Sequence, residues 1–392
     1  MNKLLMVLLF APIAILSQKN DTLKQVEIVS NRADNNTPVT QISINKDEIN
    51  KSYFGQDPAY ILGKTPSITY YSDNGLYNSY TYFRLRGLDQ TRINMTLNGV
   101  PLNEPEDQGA YFSNYGDFGA NINSIQVQRG VGVSSYGTSS YAGSINFESR
   151  NLLDTTQTNI EYGYGSYSTD RFSLSHSTGL MKDKIAAYTR FSSLSSDGYK
   201  QNAFNDSKTF FNSIGYYGNK TILKLTTFSG QSANGMGYLA TNIEDLNIDK
   251  RTNYLTKNEK DFFQQSLTSL QLINKLNKNN TLNTTIFYNH LDGQYNVLFA
   301  PEMDNFYLKS NFYGLISSYT LEHKRFKANI GLNLNTYQRF HKSSLSHYIK
   351  NISIKTVVLK MMPLSSLNYS ILLIINLLYL VMYNIDTHHF NI

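Results

Sequence analysis

The residues that could do chemistry are few, and their spacings exclude most of it. The seven histidines are scattered, and the adjacent pair His388-His389 lacks both the i, i+4 spacing and the glutamate of a zinc-hydrolase helix. Gly130-Val131-Gly132-Val133-Ser134-Ser135-Tyr136-Gly137 is as glycine-rich as a dinucleotide loop, but the spacing is wrong and no βαβ unit follows, so tight turns explain it better. Glu104, Glu106 and Asp107 lie close together without the spacing of a calcium loop, and read as a solvated loop. The absence of cysteine excludes thiol catalysis, Cys-based zinc sites and a lipoprotein anchor. No catalytic residue, metal site or cofactor is expected, and the chain does not read as an enzyme. The basic side chains that stand out are Arg84, Arg86 and Arg92.

These arginines sit among short strands and tight turns. Val39-Thr40-Gln41-Ile42-Ser43-Ile44 alternates as a strand does, and Asn45 can cap a helix whose first turn carries Asp47 and Glu48. Asp57-Pro58 starts a second short helix, with the aspartate as cap and the proline where no N–H is needed, and Gly63 and Pro66 end it. Ile93, Met95 and Leu97 alternate with polar neighbours and run into Asn98-Gly99, the pair best able to take the positive φ angles of a type I′ hairpin turn. Val100-Pro101 leaves that turn, the proline being tolerable where no ladder donor is lost. Further strands are expected at Ser124–Gln128 and Gly143–Phe147, with Gly130, Gly132 and Gly137 allowing tight backbone between them.

From about Thr158 the texture becomes one of repeated alternating strands. Ile160, Tyr162 and Tyr164 share one face; so do Leu282, Thr284, Ile286 and Tyr288, although Phe287 breaks the opposite, polar face; so do Ala328, Ile330, Leu332 and Leu334. A mostly apolar or aromatic face against a mostly polar one fits the lipid-out, water-in pattern of a transmembrane barrel better than a soluble sandwich. Thirty tyrosines, 21 phenylalanines and only 16% charged residues suit aromatic-girdled strands. A net charge of +6 over 392 residues, without a basic cluster, gives nucleic-acid binding little support. Ser229 to Lys260 reads as a long extracellular loop and Asn277 to Asn280 as a periplasmic turn.

Arg84-Leu85-Arg86-Gly87, Leu97-Asn98-Gly99-Val100-Pro101, Arg129-Gly130 and Tyr141-Ala142-Gly143-Ser144-Ile145-Asn146-Phe147 together resemble the plug of a TonB-dependent outer-membrane receptor. The resemblance covers residues 20 to 340, is specific in the plug and looser in the strands. It implies a mainly β fold: a small α+β plug domain followed by antiparallel transmembrane β-barrel strands. Its plug-motif positions here are Arg84, Arg86, Gly87, Arg92, Asn98, Gly99, Val100, Pro101, Arg129, Gly130, Gly137, Gly143, Ile145 and Asn146. By the same resemblance Arg84, Arg86 and Arg92 face barrel carboxylates, solvent-exposed plug arginines being the competing account. Four departures stand out: Pro66-Ser67-Ile68 for the usual Pro-Gly-Val, Asn-Gly for Asp-Gly, Gln126 and Gln128 for acidic residues, and Val131 for a common proline. The lost carboxylates remove a local partner for Arg129.

Gln25-Val26-Glu27-Ile28-Val29 alternates inside a polar segment too short to fold alone, and it resembles the TonB box. Leu23, Gln25, Val26, Glu27, Ile28 and Val29 would then bind TonB by adding a strand to its sheet edge, an ordinary first plug strand being the competing account. Ahead of it, Lys3 precedes an apolar run from Leu4 to Leu16 laid out as a secretory signal. The implied function is energy-coupled import of a scarce nutrient, an iron-siderophore or similar complex, across the outer membrane of a Gram-negative bacterium. Outer-membrane lipid, TonB and its inner-membrane energising complex are the implied partners. The alternative is a secreted plug-like module that binds ligand, or signals, without a channel.

The segments expected are a signal peptide at 1–17, a TonB-box segment at 18–35, a plug at 36–150, a partial barrel at 151–344 and an aberrant apolar tail at 345–392. At about 10 residues per strand plus its turn, the barrel region supplies roughly eight strands, where the family's barrels have about 22. The barrel is therefore expected to be incomplete and the chain transport-incompetent. No glycine follows Gly331, and after Glu322 the only acidic residue is Asp386. Leu364 to Tyr383 is largely apolar and uncharged. Out-of-frame translation is the favoured account of this tail, and a C-terminal transmembrane helix the competing one.

Overall fold

The structure, a computed structural model, describes residues 32–33, 39–130, 140–299, 302–323, 326–345 and 348–362. The signal reading, the TonB-box segment, Gly137, His388-His389 and the apolar stretch from Leu364 lie outside the described residues.

The N-terminal part is an α+β unit. Strand β1 (Thr40–Asn45) leads into α1 (Lys46–Asn50), where the Asn45 side chain accepts from the Glu48 N–H and Glu48 reaches back to the Asn45 N–H. This reciprocal capping box fixes the helix start that Asn45 announces. Asp57 likewise caps α2 (Pro58–Leu62) by accepting from the Ala59 N–H. After α2 the chain turns at Ser67, which takes φ 69° in place of the family's glycine.

Two hairpins follow. Strands β2 (Ile68–Ser72), β3 (Thr81–Leu85) and β4 (Leu88–Asp89) form a three-stranded sheet. Arg86 and Gly87, at φ 52° and 83°, make the two-residue turn between β3 and β4. Strands β5 (Ile93–Leu97) and β6 (Val100–Pro101) flank Asn98 and Gly99, whose φ values of 51° and 83° are those expected of the type I′ turn. β7 (Ile122–Arg129) and β8 (Gly143–Ser149) complete a second sheet in the order β1-β7-β8-β5-β6, antiparallel except for the parallel pair β5·β8. Leu62, Phe83, Leu85, Ile93, Met95, Ile125, Val127, Ile145 and Phe147 are buried between these elements.

The rest of the described chain is one antiparallel meander. Its strands are β9 (Gln157–Gly165), β10 (Thr169–Met181), β11 (Ile185–Ser196), β12 (Asn205–Tyr217), β13 (Thr221–Gly235), β14 (Lys260–Lys275), β15 (Asn280–Phe299), β16 (Glu302–His323), β17 (Phe326–Leu345) and β18 (Tyr348–Met362). Each pairs with the next in the chain, and β9 and β18 are the two ends of the sheet. The wall has ten strands; nine of them fall within residues 157–345, where roughly eight were expected, because the turns at 182–184, 218–220 and 276–279 spend few residues. The ladder also runs past residue 345 into β18, so the change in composition there does not coincide with the end of the sheet. The long loop is shorter than Ser229 to Lys260, since β13 continues to Gly235; residues 236–259 remain, with α3 (Ile243–Ile248) inside them.

The wall is inside out relative to a soluble protein. Ser173, Ser175, Ser192, Ser207, Thr209, Ser213 and Gln265 are buried, whereas Ile160, Tyr162, Tyr164, Phe191, Phe210, Ile214, Tyr216 and Ile286 on the other face are exposed. The alternation read from the sequence is thus real, and the polar face is covered because the α+β unit sits against it. The apolar exceptions on that face have partners. Phe228 packs against Phe118 and Tyr115 of the plug, with ring centroids 5.4 and 4.8 Å apart, and Phe287, the residue that breaks the polar face, packs on Phe312. Burying each such ring is worth about 1.5–3 kcal/mol.

Close approach of the two parts depends on Gly230 of β13. A Cβ there would stand 2.1 Å from the Asn114 carbonyl oxygen, a backbone atom that cannot swing away. Gly230→Ala is expected to cost about 1–3 kcal/mol by overpacking. Urea titration of the refolded chain checks this, and an unchanged midpoint would contradict the close contact.

Candidate functional site

The plug-motif residues serve the plug's own architecture. Ile145 is buried in β8, and the buried Asn146 carboxamide accepts from the Thr96 hydroxyl at 2.8 Å. Gly143 lies where an added Cβ would meet the Gln128 carbonyl at 2.1 Å. Asn98 ties its turn to β8 by accepting from the Ser149 N–H and donating to its hydroxyl. Gly130 and Gly99 take positive φ.

The three plug arginines do not face barrel carboxylates. Arg84, Arg86 and Arg92 are exposed, and no ion pair to the wall involves them among the described residues. Arg86 is at a hairpin tip, and the anion near Arg84 and Arg92 is Asp89. The Thr91 hydroxyl, and to a smaller extent these two arginines, hold the Asp89 carboxyl below its ordinary range. Arg129 has buried Nε and Nη2 atoms without a hydrogen-bond partner among the described residues. Gln126 and Gln128, which stand where the family has acids, have another use. The Gln126 carboxamide accepts from the Ala33 N–H at 2.9 Å and donates to the Ala33 carbonyl at 3.0 Å, which a carboxylate could not do. Arg32 adds an ion pair to Glu148 at 3.2 Å, so the chain entering the plug is tied to β7 and β8.

Plug and wall meet through charges of the opposite arrangement, carboxylates on the plug and arginines on the wall. Asp117, 1% exposed and in the left-handed region at φ 58°, accepts from Arg171 of β10 and Arg190 of β11, with closest N–O distances of 2.9 Å for both. The Tyr53 hydroxyl also donates to it at 2.9 Å. Burial first, and then the charge of Asp117, raises Tyr53 well above its ordinary value, so the phenol stays a donor. Glu161 of β9 pairs with both arginines from the more exposed side, at 3.0 and 3.2 Å.

A second junction joins the loop after β6 to β17. Glu104 is buried and accepts from Gln265 at 3.0 Å and from the Tyr337 hydroxyl at 3.2 Å. Burial pushes its carboxyl up to about 7, against the opposing pull of Arg339. Glu106 pairs with Arg339 at 3.0 Å and meets His341 at 2.9 Å. The loop read as solvated is therefore docked, because the wall supplies the cations that its sequence neighbours lack. No cluster of three metal-ligating side chains occurs among the described residues.

Above these junctions, at the end of the wall that carries the loop 236–259, a cavity of about 540 Å³ separates plug from wall. Plug residues Asp73, Tyr80, Tyr82, Asp107 and Tyr111 line one side, and Tyr238, Phe263, Tyr295, Arg339 and His341 the other. None of the wall residues was singled out from sequence. The usable signal was an inward position: Arg190 and Arg339 fall on the buried face of strands whose other face is largely apolar, so each requires an anion from within.

A small α+β plug seated on the polar face of an open antiparallel wall is the arrangement these features define. The family model of the TonB-dependent receptor plug domain matches residues 33–144, so this chain carries that plug. The whole described fold is that of TonB-dependent receptors. It is similar to the unliganded ferric citrate transporter FecA, with TM-score 0.70 and 14% identity over 81% of this chain and 52% of that one. It is also similar to the ferric yersiniabactin uptake receptor FyuA from Yersinia pestis, with TM-score 0.64 and 12% identity over 82% and 53%. The copper transporter OprC gives TM-score 0.62 and 14% identity over 81% and 51%. The chain spans about half the length of these solved structures. No curated protein matches the sequence.

Proposed function

We propose that this chain is the plug and about half the wall of an outer-membrane receptor that imports a scarce nutrient, an iron-siderophore or similar metal complex. The observation that carries the reading is the matched plug domain, seated by Asp117 and Glu104 on the polar face of a ten-stranded wall with an apolar outer face. A ligand enters from the loop end and contacts the cavity between plug and wall. Residues Leu23 to Val29 then pair as an added strand with TonB, whose inner-membrane complex supplies the work that remodels the plug. Support comes from the alternating sequence there, from its position ahead of the plug, and from the similarity to the ferric citrate transporter FecA and the ferric yersiniabactin uptake receptor FyuA.

Transport requires a wall that surrounds the plug, since unpaired strand edges in hydrocarbon cost several kcal/mol per orphaned group. The described sheet is open, ending at β9 and β18. Cells given only these 392 residues are therefore expected to show no energy-dependent uptake of labelled ferric siderophores. A receptor in which the same plug is completed by a closed wall is expected to take up ligand, and to lose uptake but keep binding when residues 22–29 are deleted. Uptake by the 392-residue chain alone would refute the first expectation. Retention of uptake without residues 22–29 would refute the TonB-box assignment. Translating the other frames downstream of the His341 codon tests the frame reading; alternating strands resuming there would support it.

A further inference from the structure

The cavity between plug and wall is unusually one-sided in charge for a site expected to take metal complexes. The carboxylates of Asp73, Glu106 and Asp107 line it, with Glu104 partly protonated by burial beside them, against one guanidinium, Arg339, and one imidazole, His341. Both of these are already held by Glu106. Lys200 at the rim donates to the Gly237 carbonyl at 2.8 Å. Among the described residues lining the cavity, no cation is left without an anion, so an entering anion would meet net negative charge in a partly desolvated space.

Six aromatic rings also line it, those of Tyr80, Tyr82, Tyr111, Tyr238, Phe263 and Tyr295, and two of the hydroxyls are tied back. Tyr80 donates to Asp261 at 2.6 Å and Tyr111 to Asp107 at 3.0 Å. Tyr82 stacks on Tyr71 at 5.4 Å and Tyr295 on Phe306 at 5.0 Å, which fixes their ring planes. Burial, and after it the neighbouring carboxylates, raises the phenols of Tyr80, Tyr82 and Tyr111 above their ordinary value, so the rings stay neutral π surfaces. Rings held in place beside carboxylates are the arrangement that binds organic cations, the quadrupole attracting charge at the face and the carboxylates adding a longer-range field.

Resting on the receptor reading, we propose that this cavity selects a positively charged organic group, an ammonium-bearing ligand or ligand arm, and disfavours polyanionic complexes. Selectivity follows from both signs: attraction for the cation, and an unpaired negative surface set against the anion.

The test uses the full chain refolded in detergent and three small probes of one shape: benzyltrimethylammonium, its uncharged carbon isostere neopentylbenzene, and benzenesulfonate. Tyrosine-labelled NMR reports binding at Tyr82 and Tyr238. The ammonium is expected to bind at least tenfold more tightly than the sulfonate, and more tightly than the neutral isostere. Tyr238 is 47% exposed, so Tyr238→Leu leaves the fold intact and is expected to weaken ammonium binding several-fold, whereas Tyr238→Phe retains it. Equal or tighter sulfonate binding, or no shift with any probe, overturns the proposal. Either result leaves the receptor reading standing, because that reading is decided by uptake in the closed-wall receptor and not by probe charge.

Discussion

Asp117→Asn is expected to loosen the plug from the wall by about 3–5 kcal/mol, the cost of leaving buried arginines without their carboxylate. Asparagine tolerates the left-handed backbone that residue 117 adopts, so the substitution removes charge without adding strain. Arg171 and Arg190 then keep only Glu161, which is 44% exposed and screened by water. The expected readouts are a lower urea midpoint for the refolded chain and faster proteolysis within residues 40–130 than within the strands. The internal control is Lys309→Ala. Its pair with Asp292 spans 3.6 Å between half-exposed side chains and should be worth less than about 1 kcal/mol. A change no larger in Asp117→Asn than in this control would show that the cluster does not hold the two parts together.

The second large effect is a dependence on pH. Burial pushes Asp57 and Glu104 up to about 7 from ordinary values of 3.8 and 4.5. Between pH 4 and 7 the folded chain therefore binds more protons than the unfolded chain. Stability is highest at the acid end of that window, falls as pH rises through it, and levels off once both groups are ionised. Each shift corresponds to a loss on the order of 3–4 kcal/mol. Other carboxylates whose pairs weaken in acid act in the opposite sense, so the signal is the difference between variants. Asp57→Asn keeps the oxygen that caps α2, and Glu104→Gln keeps an acceptor for Tyr337. The double variant is expected to match the parent only at about pH 3.5, below both ordinary values, and to exceed it in stability at pH 8. Parallel pH profiles would show that these carboxyls are not strained by burial.

Much of this protein was legible from local sequence. Asn45 with Glu48, Asp57 with Pro58, and Asn98 with Gly99 each specify a cap or turn by the hydrogen bonds and φ angles their own side chains allow, and all three formed as read. The period of two in the strands fixed their β character and their division into a polar and an apolar face, because side chains on a strand alternate whatever the partner. The number of strands was less legible, since the turns between them were shorter than the spacing assumed. For Arg84, Arg86 and Arg92 the sequence left barrel-facing and solvent-exposed positions open, because motif membership does not say which surface a side chain faces; they are exposed, Arg86 at a hairpin tip.

Only the tertiary structure could pair Asp117 with Arg171 and Arg190, or Glu104 with Tyr337, across 54 to 233 residues of sequence. These are long-range meetings between a plug and a wall, and no periodicity within either part encodes its partner in the other. The sequence by itself determined the plug, the strands and their two faces, through local backbone preferences and alternation. The docking of one on the other, and with it the burial that raises Asp57 and Glu104 and the cavity that remains, was decided by packing, because desolvation and charge pairing arise only once the two surfaces are in contact.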